Sequence, residues 1–169
     1  MRKVPLAGAA AAVLLAVAGL VSFATASQAA GPSPARSQTL VFIVHFSPFE
    51  VLHLNPNPDP ATGYGFGDEL TFHDQLFSHG QHAGDDGGSC VIVDGAQVLA
   101  NCSDWIHLAG GTITTQFENG PPPRKQIAIT GGTGIYNTVG GDGSLVEFGN
   151  GTGKLTLHVL SLVARAGRA

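Results

Sequence analysis

An aspartate set among apolar residues at alternating positions is the strongest chemical signal in this chain. In Leu70-Thr71-Phe72-His73-Asp74-Gln75-Leu76, a period of two puts Asp74 on the face of Leu70, Phe72 and Leu76, with His73 opposite. A carboxylate turned inward without a partner carries a heavy desolvation cost, so it must be paired, hydrated or chemically employed. Two readings stand. Asp74 is the acid/base or polarising group of a pocket that includes Leu70 and Phe72, or it is a strand-end carboxylate accepting a turn N–H. Tyr136, Asn137 and His158 are the candidate polar ligand contacts under the first reading.

Other chemical patterns are less productive. His79, His82, Asp85 and Asp86 are plausible metal-ligand types. Their spacing fits no standard zinc frame, and their glycine-rich setting reads as a solvated loop, so no metal is expected. Gly149-Asn-Gly-Thr-Gly-Lys154 has Phe148 where a P-loop needs its first glycine, and Leu155 where it needs Ser or Thr. Gly131-Gly-Thr-Gly134 runs into another strand rather than a helix, which suits a tight turn and not an anion site. No serine sits in a Gly-x-Ser-x-Gly elbow.

Cys90 and Cys102 are the only cysteines. A hairpin turning at 94–98 sets them opposite each other, within reach of a bridge. The alternative is a free thiol at Cys90.

These residues need strands to position them. No stretch after the N-terminus keeps a 3.6-residue apolar period. Strand signals fall at 39–54, 67–77, 89–94, 97–102, 111–118, 126–130, 134–148 (broken) and 154–163, separated by Gly, Pro, Asn and Asp clusters. About eight short strands with no second compositional regime predict an all-β chain closed into one antiparallel barrel. Two segments look apolar on both faces. Phe42, Val44 and Phe46 oppose Val41 and Ile43, while Leu155, Leu157 and Val159 oppose Leu160 and Leu162. Two-sided burial predicts something outside the wall, and a subunit interface is the simplest candidate.

Residues 1–29 have the form of a secretory signal: Arg2 and Lys3, an Ala/Leu/Val run over 4–21, and Ser27-Gln-Ala29 as a cleavage site. Export, a disulfide and no membrane span after cleavage are the expectation. Residues 30–38 read as a flexible lead-in and 39–165 as a single barrel domain. Loss of the leader's two cations moves the net charge from −4 to −6. Only six scattered cations remain, which excludes a nucleic-acid partner.

The ordered set Gly67-Asp68, Leu76-Phe77, Gly88-x-Cys90-Val91, Gly111-x-Ile113-x-x-Gln116 and Thr130-Gly-Gly-x-Gly134-Ile-Tyr136 resembles the allene oxide cyclase and dirigent superfamily. The resemblance implies an eight-stranded barrel, usually trimeric, with an apolar pocket holding few polar groups. It implies cofactor-free cyclisation or isomerisation of an apolar small molecule, or its non-catalytic binding. Asp74 matches a pocket position that is asparagine in the plant cyclases and aspartate in dirigent proteins. Cys90 matches a pocket cysteine of the cyclases.

Overall fold

The computed structural model describes residues 36–121 and 123–161. The leader, most of the lead-in, Leu162 and the remaining C-terminal residues lie outside them. Nine strands run β1 (Arg36–His45), β2 (Glu50–Leu52), β3 (Glu69–Ser78), β4 (Gln81–Asp94), β5 (Leu99–Leu108), β6 (Gly111–Asn119), β7 (Arg124–Gly132), β8 (Val139–Glu147) and β9 (Thr152–Ser161). The described residues contain no α-helix; one 3₁₀ turn spans Gly134–Tyr136.

From β3 to β9 each strand pairs antiparallel with the next, β9 pairs with β1, and β1 pairs with β3. The ring is thus a closed eight-stranded antiparallel barrel, with β2 as an extra short strand on β3. Closure removes the sheet edges that an open meander would expose.

The segment 39–54, expected as one strand, is two. His45 lies opposite Gln75 and Glu50 opposite Thr71, so β1 and β2 share one edge of β3 with a break between them. Pro48 sits in that break and has no N–H to offer a ladder. The second correction concerns 79–88. His79 and Gly80, both at positive φ, make a tight turn, and β4 starts at Gln81. The expected solvated loop is therefore mostly strand, with Asp86 inward and buried. β5 likewise runs on to Leu108, beyond the expected end at Cys102.

Inside the barrel, the buried side chains form two apolar groups. The larger includes Phe42, Val44, Leu76, Ile106, Ile113 and Leu157. The smaller is built on Cys90, Cys102, Ile92 and Ala100, with Tyr64, Leu70 and Phe72 packed against it. Cys90 and Cys102 are directly opposed in the β4–β5 ladder and joined by a disulfide, S–S 2.01 Å. Leu155, Leu157 and Val159 of β9 point inward, whereas Leu160, Val41 and Ile43 are exposed on the outer face.

The segment 53–68 folds over the smaller group and is pinned by one fully buried carboxylate. Asp68 accepts the N–H groups of Leu54 (2.8 Å), Asn55 (3.0 Å) and Gly65 (2.9 Å), and pairs with the His53 ring at 2.9 Å. Those bonds, the Asn55 and Gly65 N–H groups foremost, hold its pKa far below the usual carboxylate range. Gly67 N–H to Ile92 O and Ile92 N–H to Asp68 O, both 2.8 Å, tie the segment to β4. At the opposite end, Gly134 (φ +60) lies so close to β6 that a Cβ there would come within 2.1 Å of the Gly110 carbonyl. Only glycine fits.

Asp68→Ala should loosen the cap and spare the barrel. Hydrogen exchange should quicken at Leu54, Asn55 and Gly65 by about tenfold or more, consistent with loss of charge-assisted bonds, while β5–β9 amides keep their protection. Unchanged exchange at those three amides would show that the cap is held by other contacts.

Candidate functional site

Three adjacent strands bring three aspartates to the interior. Asp74 on β3 faces Asp86 on β4 directly, and one pleat further along Phe72, Gly88 and Asp104 occupy one row across β3, β4 and β5. All three carboxyls are buried, with 5%, 7% and 8% exposure for Asp74, Asp86 and Asp104. Gly88 fills its interior position with no side chain, and a Cβ there would collide with the Ser103 carbonyl at 2.1 Å. The two strands can approach at that point only because it is glycine.

The carboxyls lie between the two apolar groups. Leu76 and Ile106 flank them on one side, Phe72 and the disulfide on the other. Their hydrogen bonding is incomplete. Ser47 N–H donates to Asp74 Oδ1 at 2.7 Å, and Thr115 Oγ1 donates to Asp104 Oδ2 at 3.3 Å. Oδ1 of Asp86 and Oδ1 of Asp104 are buried without a hydrogen-bond partner. Unpartnered buried oxygens are uncommon and costly, more so when ionised.

Electrostatics follow from this setting. Burial pushes the Asp86 carboxyl up to about 8, helped by the charges of Asp104 and Asp74. Burial also pushes Asp104 up to about 7, against the pull of the Thr115 hydroxyl and the Gly87 N–H. Asp74 is raised by burial, with the Ser47 N–H and nearby His73 opposing it. Asp86 and Asp104 titrate near neutrality, coupled through space to each other and to the Asp74 charge. A neutral carboxylic acid in a dry site can donate a proton or a strong hydrogen bond, and an ionised neighbour can accept one. Among the described residues no three His, Cys, Asp or Glu groups are placed to hold a metal ion.

The ligand contacts expected from the sequence are dispersed. Leu70 and Phe72 are partly buried beside the disulfide group, on the face of Asp74. Tyr136 is buried in the larger group and lines a cavity of about 250 Å³ at the other barrel mouth, with Arg36, Gln38, Val139 and Val159. Burial raises its phenol pKa. Asn137 is exposed beyond the 3₁₀ turn, and His158 is on the outer face, 3.2 Å from the Thr39 hydroxyl. The barrel wall separates both from Asp74. Asp86 and Asp104 were not foreseen. A signal existed for Asp104, which alternates with Ala100, Cys102, Ile106 and Leu108. None existed for Asp86, whose neighbours on its own face are glycines.

No protein-family model matches the sequence, and no curated protein matches it. Solved structures do. Pyocyanin demethylase is similar with a TM-score of 0.62 and 25% identity, over 72% of this chain and 99% of that one. The pterocarpan synthase dirigent protein GePTS1 is similar with a TM-score of 0.60 and 16% identity, over 80% of this chain and 91% of that one. The Diels-Alderase AbmU from Streptomyces koyangensis gives 0.54 and 19%, over 77% and 70%. The fold is that of the dirigent and cyclase barrels. The likeness does not single out allene oxide cyclase among them.

The raised carboxyls dictate how stability varies with pH. Between the ordinary value of 3.8 and about 8, the folded protein binds protons that the unfolded chain has released. Stability from Asp86 and Asp104 is therefore full below about pH 4 and lost as pH rises through about 7 to 8. Asp68 acts oppositely: its contribution is present above about pH 4 and lost on further acidification. Melting temperature should peak in mildly acidic buffer and decline toward pH 8.5. The double variant Asp86→Asn, Asp104→Asn should flatten the alkaline limb. An equally steep limb in that variant would show that other groups cause it.

Proposed function

We propose that this barrel takes up a small, largely apolar molecule and steers its cyclisation or isomerisation by proton transfer. The observation that carries this reading is the set of three buried interior aspartates between apolar walls, all raised by burial, with Asp86 and Asp104 near neutrality. Asp86 or Asp104 in its neutral form donates a proton to a substrate oxygen or carbonyl. Asp74, whose ionised form the Ser47 N–H bond favours, accepts a proton from the rearranging carbon skeleton. One proton enters the substrate and one leaves it, so the product is an isomer and no electrons are gained or lost. The apolar walls restrict the conformations from which a ring can close.

Supporting the small-molecule class, the structural neighbours include one enzyme named for pyocyanin, one for pterocarpan synthesis and one for a Diels-Alder reaction. Export fits the leader-like N-terminus and the Cys90–Cys102 disulfide. Among the described residues, no helix is long and apolar enough to cross a membrane. A homo-oligomer, a trimer by resemblance, would cover the outward Val41, Ile43 and Leu160, which are 46%, 40% and 43% exposed.

Asp74→Asn and Asp86→Asn keep side-chain shape and abolish titration. With a substrate identified by mass spectrometry of what co-purifies, each should retain ligand binding and lower turnover by about 10²-fold or more. Full turnover in both variants removes the proton-transfer mechanism. Binding without any turnover in the parent protein leaves a ligand-binding barrel instead.

The oligomer has a separate check. Light scattering across about 1–100 μM, the range where specific interfaces hold, should give a mass above one chain, and Ile43→Lys should shift it toward the monomer. A parent protein that is monomeric throughout that range overturns the assignment.

A further inference from the structure

One cavity of the described residues is not inside the barrel. It is an open groove of about 590 Å³ on the outer wall over β4 to β7. Its floor is laid by one aromatic residue. Trp105 is the only tryptophan of the chain and is 41% exposed, an unusual position for so large an apolar surface. His73, Gly87 and Trp105 are in register across β3, β4 and β5. The indole lies down over Gly87, so that a Cβ at that glycine would come within 2.7 Å of Cζ2. The His73 ring flanks it, centroid to centroid 5.7 Å at 40°. One indole face is thus held against the wall and the other is open to the groove.

Phe72 and Gly88 also line the groove; its remaining outward-facing groups are polar and neutral. Ser89, Ser103 and Gln116 form one cross-strand row, and Thr114 lies opposite Trp105. Thr130 donates to Thr114, both to its carbonyl and to its hydroxyl, at 3.1 Å. Asp104 and Thr115 also border the cavity, but their side chains are buried on the interior side of the wall. Hydroxyls and a primary amide, which both donate and accept, therefore surround a flat apolar platform. No cation rises into the groove to recruit phosphate or carboxylate. An apolar ligand would leave the row of hydroxyl and amide groups unused.

We propose that this outer groove binds a neutral oligosaccharide. A pyranose presents an apolar C–H face, which stacks on the open indole face, and an edge of hydroxyls, which meets Ser103, Gln116 and Thr114. The aromatic contact supplies desolvated area and the polar row supplies orientation. The groove is separated by the sheet from the interior aspartates, so this site is independent of the proton-transfer chemistry proposed above. It would tether an exported barrel to a glycan surface while leaving the barrel mouths free.

Trp105 makes the test direct, because all indole emission comes from the groove. The full exported protein is titrated with cellohexaose, chitohexaose and maltohexaose while tryptophan fluorescence is followed, with calorimetry in parallel. At least one of the three should give a saturable emission change. Trp105→Ala, which removes an exposed side chain, should keep the parent melting temperature and lose calorimetric binding. Gln116→Ala should weaken binding by about tenfold, the scale of one buried hydrogen bond lost. No saturable response to any of the three overturns the proposal, as does undiminished calorimetric binding in Trp105→Ala. Emission that shifts with protein concentration alone, together with growth in size, assigns the groove to contact between copies of this chain and also overturns it.

Discussion

The three-residue ladder between β1 and β3 is the constraint on which the rest depends. Ile43, Val44 and His45 pair with Phe77, Leu76 and Gln75, and with that pairing a meander becomes a ring. Without it, β1 and β3 would each offer a free edge, and water would reach the face that carries Asp74. Closure turns that face into an interior. The desolvation that lifts the carboxyl pKa values is thus a consequence of topology before it is a property of any one aspartate.

The wall is interrupted where β1 gives way to β2. Between His45 and Glu50 no ladder bonds run to β3, and the chain is instead held by the Ser47 N–H on Asp74. Asp74 is at once an inward carboxyl and the acceptor of a connecting-segment N–H. Its ionisation and the integrity of the wall are coupled, because an ionised oxygen accepts a stronger bond than a neutral one.

The barrel was legible where alternation was written in apolar residues. β3, β6, β7 and β9 all show it, and the disulfide followed from counting back from the 94–98 turn. What escaped was strand whose inward positions are not apolar. In β4 those positions include Asp86 and Gly88, so the first half of the strand reads as a polar, glycine-rich loop. Tertiary burial overrode local character there, at the place where the interior departs from a plain hydrophobic core. Proline acted the other way: Pro48 broke a strand whose flanking apolar residues suggested continuity. Asn137 and His158 were grouped with Asp74 by residue type alone, and periodicity within one strand carries no information about which strands share an interior.

Chain connectivity adds a temporal dimension. Neighbours in the ring are neighbours in sequence everywhere except at β1, whose partner β9 is reached across a separation such as the 119 residues between Thr39 and His158. The hairpins from β3 to β9 can zip locally, whereas the β1–β9 seam must wait for loop closure over almost the whole domain. During synthesis, β1 emerges before the other strands and finds its second partner last. It spends that interval as an apolar strand with an open edge, and a nascent chain stopped before Thr152 has no way to cover it.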